Sequence, residues 1–482
     1  MGYRNGTDRQ QLTLMPMCID DYIPEDHICR VIHAFTEQLN MIKLEFKYAE
    51  CKETGSPPYN PRMMLNLYLY GYMNRTRSSR RLHAETTRNI EVMWLMEGLT
   101  PDDRTICNFR KDNGKALKEA FRAFNKMLRN LGLFGGEVTA TDGSKFRADN
   151  SRNNNHNPTN LGHKISRVEA KISEYLKALD ENDAKETDDE SPSAEQLKAA
   201  LKQLNERKGH YDALLARLET ETEISTVDPD SRLMRQSGDG RALDVCYNVQ
   251  TIVDAKHCLI ADFDVTNCSN DLGNLENMTT GAMEVMDVET LTNLADKGFY
   301  DGQDIEKCEK NGVICLVAKQ KPGGTKKSEE FTKDKFKYDS ENNCYICPGG
   351  QTLPYKHTRK RGTIEFGVYM NAKACAECPL RAECTTAKRR EIERASHQDT
   401  LDIVDERTQK NKELYRKRRE IVEHPFGTIK AVWGYKQFLC RTLPKVKAET
   451  ALACFAYNLR RVINIFKENG RNLVTVIGEM ST

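Results

Sequence analysis

The sequence predicts an α/β protein: a mixed sheet preceded by an all-helical unit and interrupted by a helical hairpin and by a small cysteine-bearing module. Three observations carry that reading. Apolar residues recur at helical spacing up to about residue 133. At Gly135 the pattern switches to strand alternation, and short β-rich runs separated by helical patterns follow. Two stretches, 160–225 and 321–410, break that series without adding to it. At 482 residues the chain exceeds a single typical core, so two to four structural units are expected.

Composition narrows the class. Hydrophobic residues at 38% suffice for globular cores, and 30% charged residues imply a large solvated surface, so a soluble protein is expected. The opening MGYRNGTDRQQLTLMP lacks the apolar core of a secretion signal, and no run is long enough to span a bilayer. The expected location is the cytoplasm, or wherever the cell keeps its DNA. A net charge of +2 hides local patches: YKHTRKRG at 355–362, TAKRREIER at 386–394 and ELYRKRRE at 413–420 are basic, whereas ENDAKETDDES at 181–191 is acidic. Without a secretion signal the 16 cysteines read as reduced thiols.

The helical unit spans 1–133. Ile23, Ile28, Val31, Ile32 and Phe35 make one helical face after Pro24. Pro61 suits the first position of the apolar helix RMMLNLYLYGYM, and RSSRRLHAETTRN and IEVMWLMEGL read as shorter helices. Thr100, Pro101 and Asp102 signal entry into one long amphipathic helix that runs on to about residue 133. Arg62, Arg75, Arg77, Arg80, Arg81, Arg88, Arg104 and Arg110 are scattered through these segments. Short Arg-rich helices joined by tight turns can place a helix in a DNA major groove; the alternative is a bundle that only packs on its neighbour.

Strands follow. GEVTATDGSKFRAD places Val138, Ala140 and Asp142 on one face. Residues 243–254 and 258–266 form two more strands joined by a short turn. A helix at about 272–286, the run LTNLADKG, a further helix and GVICLVAK complete the series. Between the first and second strands, Ile165, Val168, Ile172, Leu176 and Leu179 form one seam, and Leu197, Leu201, Leu204, Lys208, Tyr211, Leu215 and Leu218 another. Lys208 is the one polar break, and the pair reads as an antiparallel hairpin.

Two groups of residues carry chemistry. Cys344, Cys347, Cys375, Cys378 and Cys384 include pairs spaced two residues apart, the spacing at which thiolates converge on one tetrahedral zinc ion. That is five candidates for four positions. Asp142 and Asp296 each follow a β-type apolar run, and Glu423 lies on a helical segment with Arg419 four residues before it and Lys430 seven after. Carboxylates gathered from distant segments repel unless a divalent cation joins them, and hard oxygen ligands suit Mg²⁺ or Mn²⁺.

The segments TDGSKFRAD, LADKGFYD and VEHPFGTIK carry a resemblance, together with YNPRMMLNLYLYGY, SSRRLHAE and PDDRTICNFR near the amino terminus and the Cys-rich insertion. Over nearly the whole chain, from about Gln10 to YNLRRVINIF at 457–466, the sequence resembles the DDE-type insertion-sequence transposases of bacteria. The group it resembles has a helical amino-terminal DNA-binding domain and a CxxC-bearing insertion before the last catalytic residue.

The resemblance implies an RNase H-like core at 134–320 and 411–470, a helical DNA-binding domain at 1–133, a hairpin at 160–225, a zinc-ribbon-like insertion at 321–410 and a tail at 471–482. Asp142, Asp296 and Glu423 would be the catalytic, Mg²⁺-holding triad, with two Mg²⁺ or Mn²⁺ ions. Cys347, Cys375, Cys378 and Cys384 would hold structural zinc, leaving Cys344 spare. Arg419, Lys430, Arg62 and Arg110 would face DNA. The family's last motif also holds a Tyr, an Arg and a Lys at set offsets from the Glu; Arg419 and Lys430 fit, while the Tyr offset falls on Arg416 with Tyr415 one residue early. The implied activity is metal-dependent strand cleavage and 3′-OH strand transfer on double-stranded DNA by a homodimer or larger assembly at the bacterial nucleoid. A nuclease that cuts without joining, and a catalytically silent DNA-binding derivative, are the alternatives.

Overall fold

A computed structural model describes residues 18–51, 57–184, 194–236, 243–319 and 329–479. The amino-terminal stretch 1–17, most of the acidic run 181–191 and residues 480–482 lie outside the described residues. Among the described residues no helix is long and apolar enough to cross a membrane.

The helical unit forms as its stripes dictate. Helix Ile28–Glu37 is capped by His27 and buries Val31, Ile32 and Phe35. Helix Pro61–Met73 carries Pro at its start and an Asn60 cap, and every residue but Arg62 is buried, so it forms the bundle's centre. Ser79–Arg88 and Ile90–Leu95 follow. Asp102 caps the next helix by accepting from the Thr105 amide at 2.6 Å. The expected long helix is in fact two, Asp103–Asp112 and Gly114–Asn130. Asn113 breaks it: its Nδ2 donates to the Phe109 carbonyl at 2.8 Å and its Oδ1 accepts from the Lys47 amide at 2.6 Å. A side chain that bonds backbone groups competes with helix continuation.

The central sheet consists of β1 (Val138–Arg147), β2 (Leu243–Asp254), β3 (Ile260–Thr266), β4 (Leu291–Ala295) and β5 (Val313–Val317). Its order is β3-β2-β1-β4-β5, with Arg232–Arg235 sharing the β2 edge beside β3. The first three pair antiparallel, and β4 runs parallel to both β1 and β5. The register of β1 against β4 matches Thr141 with Ala295.

The helical unit and the sheet share one core. Helix Leu443–Glu468 is buried throughout Ala448–Leu459 and packs on Pro61–Met73, Gly114–Asn130 and β3. At its centre Asn458 donates to Asn125 Oδ1 at 2.8 Å and accepts from the Ile260 amide at 2.9 Å, while Asn125 donates to the Ile260 and Ala261 carbonyls. Such a satisfied buried polar cluster fixes one way for helices and sheet to meet. The carboxy terminus departs from a tail: Leu473–Glu479 is a helix that buries Leu473, Val476 and Ile477 against helix Ile28–Glu37.

The two interruptions have cores of their own. Helices Pro158–Ala184 and Ala194–Arg217 pack through Leu161, Val168, Tyr211, Leu214 and Leu218, and the hairpin is pinched at its base where Asn155 pairs with Ser225 and His156 with Ile224. Its seam steps from Tyr211 to Leu214, leaving Leu215 38% and Leu176 49% exposed. Lys208 crosses to Glu169 at 2.7 Å, so the polar break links the two helices. The second interruption is a five-stranded antiparallel sheet, from Lys337–Asp339 to Glu391–Ala395, around Phe336, Tyr345, Leu353, Tyr369 and Ile392. The chain rejoins the central sheet at helix Gln398–Lys410, where Leu401 and Val404 pack against Ile305, Val313 and Val317.

Because the hairpin's apolar cluster is separate from the main core and its base is closed by strand pairing, its excision is expected to be tolerated. Replacing 158–222 with a short Gly/Ser linker should leave a cooperative thermal transition within about 5 °C of the full chain, measured by circular dichroism. Loss of a cooperative transition would show that the hairpin helps to hold the core.

Candidate active site

Register builds the site. Thr141 and Ala295 are partners in the parallel β1–β4 pair, so the residues that follow them, Asp142 within β1 and Asp296 just past β4, lie at the same level. Beneath them Asn293 donates to Thr139 Oγ1 at 3.0 Å and to Thr141 Oγ1 at 2.8 Å, fixing that register with buried bonds. The Gly143 amide donates to Asp142 Oδ1 at 3.0 Å. Asp296 has extended backbone and precedes a single turn of 3₁₀ helix, Lys297–Phe299.

Between the two carboxylates stands a guanidinium that the sequence reading missed. Arg418 Nη1 lies 4.0 Å from Asp142 Oδ1, and Nη2 3.5 Å from Asp296 Oδ1, with the Arg418 side chain only 17% exposed. Arg418 sits on helix Lys412–Phe426 together with Tyr415, whose hydroxyl donates to the Ala295 carbonyl at 3.1 Å. Tyr415 and Arg418, three residues apart, share the face turned to the aspartates; Ile421, Val422, Pro425 and Phe426 are buried beside them. The signal was present in the sequence as an i, i+3 pair that continues an apolar stripe.

Glu423 lies elsewhere on that helix. Its side chain is 68% exposed and pairs with Arg419 Nε at 3.3 Å, so the predicted Arg419–Glu423 proximity holds while both point away from Asp142 and Asp296. After Pro425, which has no amide hydrogen to give, the chain widens into a π-helical turn, Gly427–Val432. That turn carries Lys430 onto β1, where Nζ donates to Ser144 Oγ at 2.7 Å and to the Lys145 carbonyl at 2.6 Å and lies 4.2 Å from the Phe146 ring centre. Burial pushes the Lys430 ammonium down to about 8, with the Asp142 charge opposing.

Electrostatically the site is short of positive charge. Burial pushes the Asp142 carboxyl up to about 6; Arg418 and the Gly143 amide act against this, and Asp296 and Asp271 act with it. A divalent cation would remove that penalty, and carboxylate oxygens from neighbouring strand ends are the donors Mg²⁺ and Mn²⁺ accept.

The two arginines assigned to DNA in the helical unit are engaged. Arg62 binds Glu37 at 2.7 Å and the Leu39 carbonyl. Arg110 is 4% exposed and donates to Tyr72 Oη and the Arg77 carbonyl, so in this conformation no phosphate reaches it.

Among the cysteines, Cys347, Cys375, Cys378 and Cys384 line one apolar pocket with Pro348, Leu353 and Leu380. Burial raises the Cys384 thiol, and Cys375, Cys347 and Cys378 add to the rise. Cys344 is buried in the strand Cys344–Ile346, outside that lining. Separately, His27, Cys29 and Glu91 bring three ligand atoms within 4.8 Å of one another. Here His27 Nδ1 accepts from the Cys29 amide as a helix cap, which makes the ring neutral, and Nε2–H faces Glu91 at 3.5 Å, so both ring nitrogens already have partners.

Comparison with known families gives two matches. Residues 17–112 match a family described as a transposase domain (DUF772), and residues 346–463 match a transposase DDE domain. The second segment contains the pocket cysteines, Arg418, Glu423 and Lys430; Asp142 and Asp296 lie outside both. Neither a curated protein nor a solved structure matches the chain.

The raised Asp142 carboxyl sets a pH dependence. At this group the folded state binds a proton more tightly than the unfolded chain, so its own contribution to stability is fully present below the ordinary aspartate value of about 3.8 and is lost as pH rises from there through about 6. In protein treated with chelator, Asp142→Asn should be more stable than the parent by about 2 kcal/mol at pH 7.5 and no more stable at pH 4, by urea unfolding. A parent equally stable relative to the variant at both pH values would contradict the burial of this carboxyl.

Proposed function

We propose, from the premise that the chain belongs to the DDE-type insertion-sequence transposases, that it binds transposon ends and performs divalent-metal-dependent DNA cleavage and strand transfer. The observation that carries this reading is the placing of Asp142 and Asp296 immediately after Thr141 and Ala295, the last pair of the parallel β1–β4 ladder. The strand order β3-β2-β1-β4-β5, with three antiparallel strands followed by two parallel ones, is the order expected of an RNase H-like core and supports the same reading.

In this proposal Asp142 and Asp296 hold the cation, which supplies activation of the attacking oxygen and neutralisation of charge on the leaving oxygen. Asp296 is 42% exposed, so substrate can approach from its side. Arg418 takes the role first given to Arg419: the Tyr-to-Arg spacing of the family's motif is three residues, and Tyr415 with Arg418 satisfies it while facing the aspartates. Its planar fork of donors suits a bridging phosphate as well as two carboxylates. Glu423 is the proposed third carboxylate, and its recruitment exchanges its Arg419 partner. Lys430, tied to β1, supplies a fixed positive charge beside Asp142. Water as nucleophile frees a 3′-hydroxyl at the transposon end; that hydroxyl then attacks a target phosphodiester and displaces a new 3′-hydroxyl.

The helices Ser79–Arg88 and Asp103–Asp112 pack on each other and expose Arg80, Arg81 and Arg104, which makes them the proposed DNA-reading surface in place of Arg62 and Arg110. Cys347, Cys375, Cys378 and Cys384 are the proposed ligands of one structural zinc. A homodimer or larger assembly on DNA completes the proposal.

Supercoiled plasmid carrying the element's terminal repeats, incubated with the protein and Mn²⁺, should yield joined products, and Asp296→Ala should lower cleavage and joining together by at least about 1,000-fold. Cleavage without joining would instead indicate a nuclease, binding alone a silent derivative, and an active Asp296→Ala variant would remove the catalytic assignment. Metal analysis should find about one zinc per chain, retained in Cys344→Ser and lost in Cys378→Ser. Zinc lost from Cys344→Ser and kept in Cys378→Ser would reverse the ligand set.

A further inference from the structure

A third aspartate stands close to this pair. Asp271 lies in the loop between β3 and helix Leu275–Met286, a position that reads in the sequence as an ordinary Asn-Asp turn. Its Oδ1 accepts from Asn248 Nδ2 and from Gln250 Nε2, each at 2.7 Å. Both amides come from β2, are fully buried, and sit two residues apart on one face of that strand. In the register of β2 against β1, Gln250 is the partner of Gly143.

The carboxylate is lodged between two glycines that closely follow the catalytic aspartates. A Cβ at Gly143, the residue after Asp142, would overlap Asp271 Oδ1 and the Gln250 amide. A Cβ at Gly298, two residues after Asp296, would stand 3.0 Å from Asp271 Oδ2. The absence of side chains at these positions lets the loop bring its carboxylate against β1 and the turn after β4. Among the described residues Oδ2 accepts no hydrogen bond, and the amide oxygens of Gln250 and Asn248, each in a fully buried side chain, have no donor. Buried amide oxygens without partners are costly, and those flanking an anchored carboxylate mark a polar pocket short of a positive ligand.

We propose that Asp271 is a further metal-holding carboxylate of this site, with Asn248 and Gln250 anchoring one oxygen and leaving the other to join Asp142 and Asp296 on the cation. The proposal rests on the reading of Asp142 and Asp296 as the metal-binding pair. It accounts for why β2, which contributes no catalytic residue, carries two buried amides on the face beside β1: they hold the Asp271 carboxylate in one orientation, as outer-shell partners hold metal ligands.

The test is Mn²⁺ binding to the full chain without DNA, by electron paramagnetic resonance of free Mn²⁺, so that no activity is needed as readout. Asp271→Asn, which keeps the side chain's shape, should weaken Mn²⁺ binding by at least about tenfold, as removal of a supporting or direct ligand does. Gly298→Ala, which keeps every carboxylate and crowds Oδ2, should weaken it by a smaller factor and serves if the first variant does not fold. Mn²⁺ affinity within twofold of the parent in the folded variants would overturn the role of Asp271. Asp142→Asn run alongside separates the two claims: if it abolishes binding while the Asp271 and Gly298 variants bind normally, the pair stands and Asp271 falls. If Asp142→Asn also binds normally, the pair falls first.

Discussion

The parallel register of β1 and β4 is the constraint from which the rest follows. With Thr141 opposite Ala295, two acidic side chains must leave the sheet side by side, one of them partly buried. Like charges at this spacing raise the cost of ionisation, and the Asp142 carboxyl is accordingly displaced upward, chiefly by its burial. The fold answers with cations brought from a distant segment: Arg418 between the carboxylates and Lys430 fixed on β1. The Pro425 break and the wide turn after it are what allow one helical segment to deliver both.

That segment is held because it leads into helix Leu443–Glu468, which is buried throughout Ala448–Leu459. Glu449 on this helix is 2% exposed, binds Arg77 of the helical unit at 2.9 Å, and accepts from the Leu439 and Cys440 amides. A buried carboxylate satisfied this fully ties the loop after Lys430 to the helical unit. The helical unit is therefore part of the scaffold of the acidic site as well as a surface of its own, whereas the hairpin and the Cys-bearing sheet have separate cores.

Much of this architecture was legible in the sequence because it rests on periodicity. The five core strands, the Pro61 and Asp102 helix starts, and the hairpin follow from local pattern and fall where expected. What escaped depends on contacts between distant residues. The break at Asn113 arises from a bond to Lys47, and the helix at 473–479 from packing on Ile28–Glu37. In the site, Asp142 and Asp296 were readable as residues that end apolar runs. Arg419 was chosen because spacing was counted from Glu423, with which it pairs at the surface; Arg418, one residue earlier, is the one that lies between the aspartates. Asp271 gave no signal, since its meaning comes only from Gly143, Gly298 and two amides of another strand.

The central claim, that a divalent cation is held where the β1–β4 pairing ends, is tested most directly by metal-localised cleavage of the polypeptide itself. Fe²⁺ bound in place of Mg²⁺, with ascorbate and peroxide, cuts backbone close to the ion. The account predicts cuts beside Asp142 and Asp296 that disappear when excess Mg²⁺ competes. Cuts confined to other segments, with both of these intact, would contradict it.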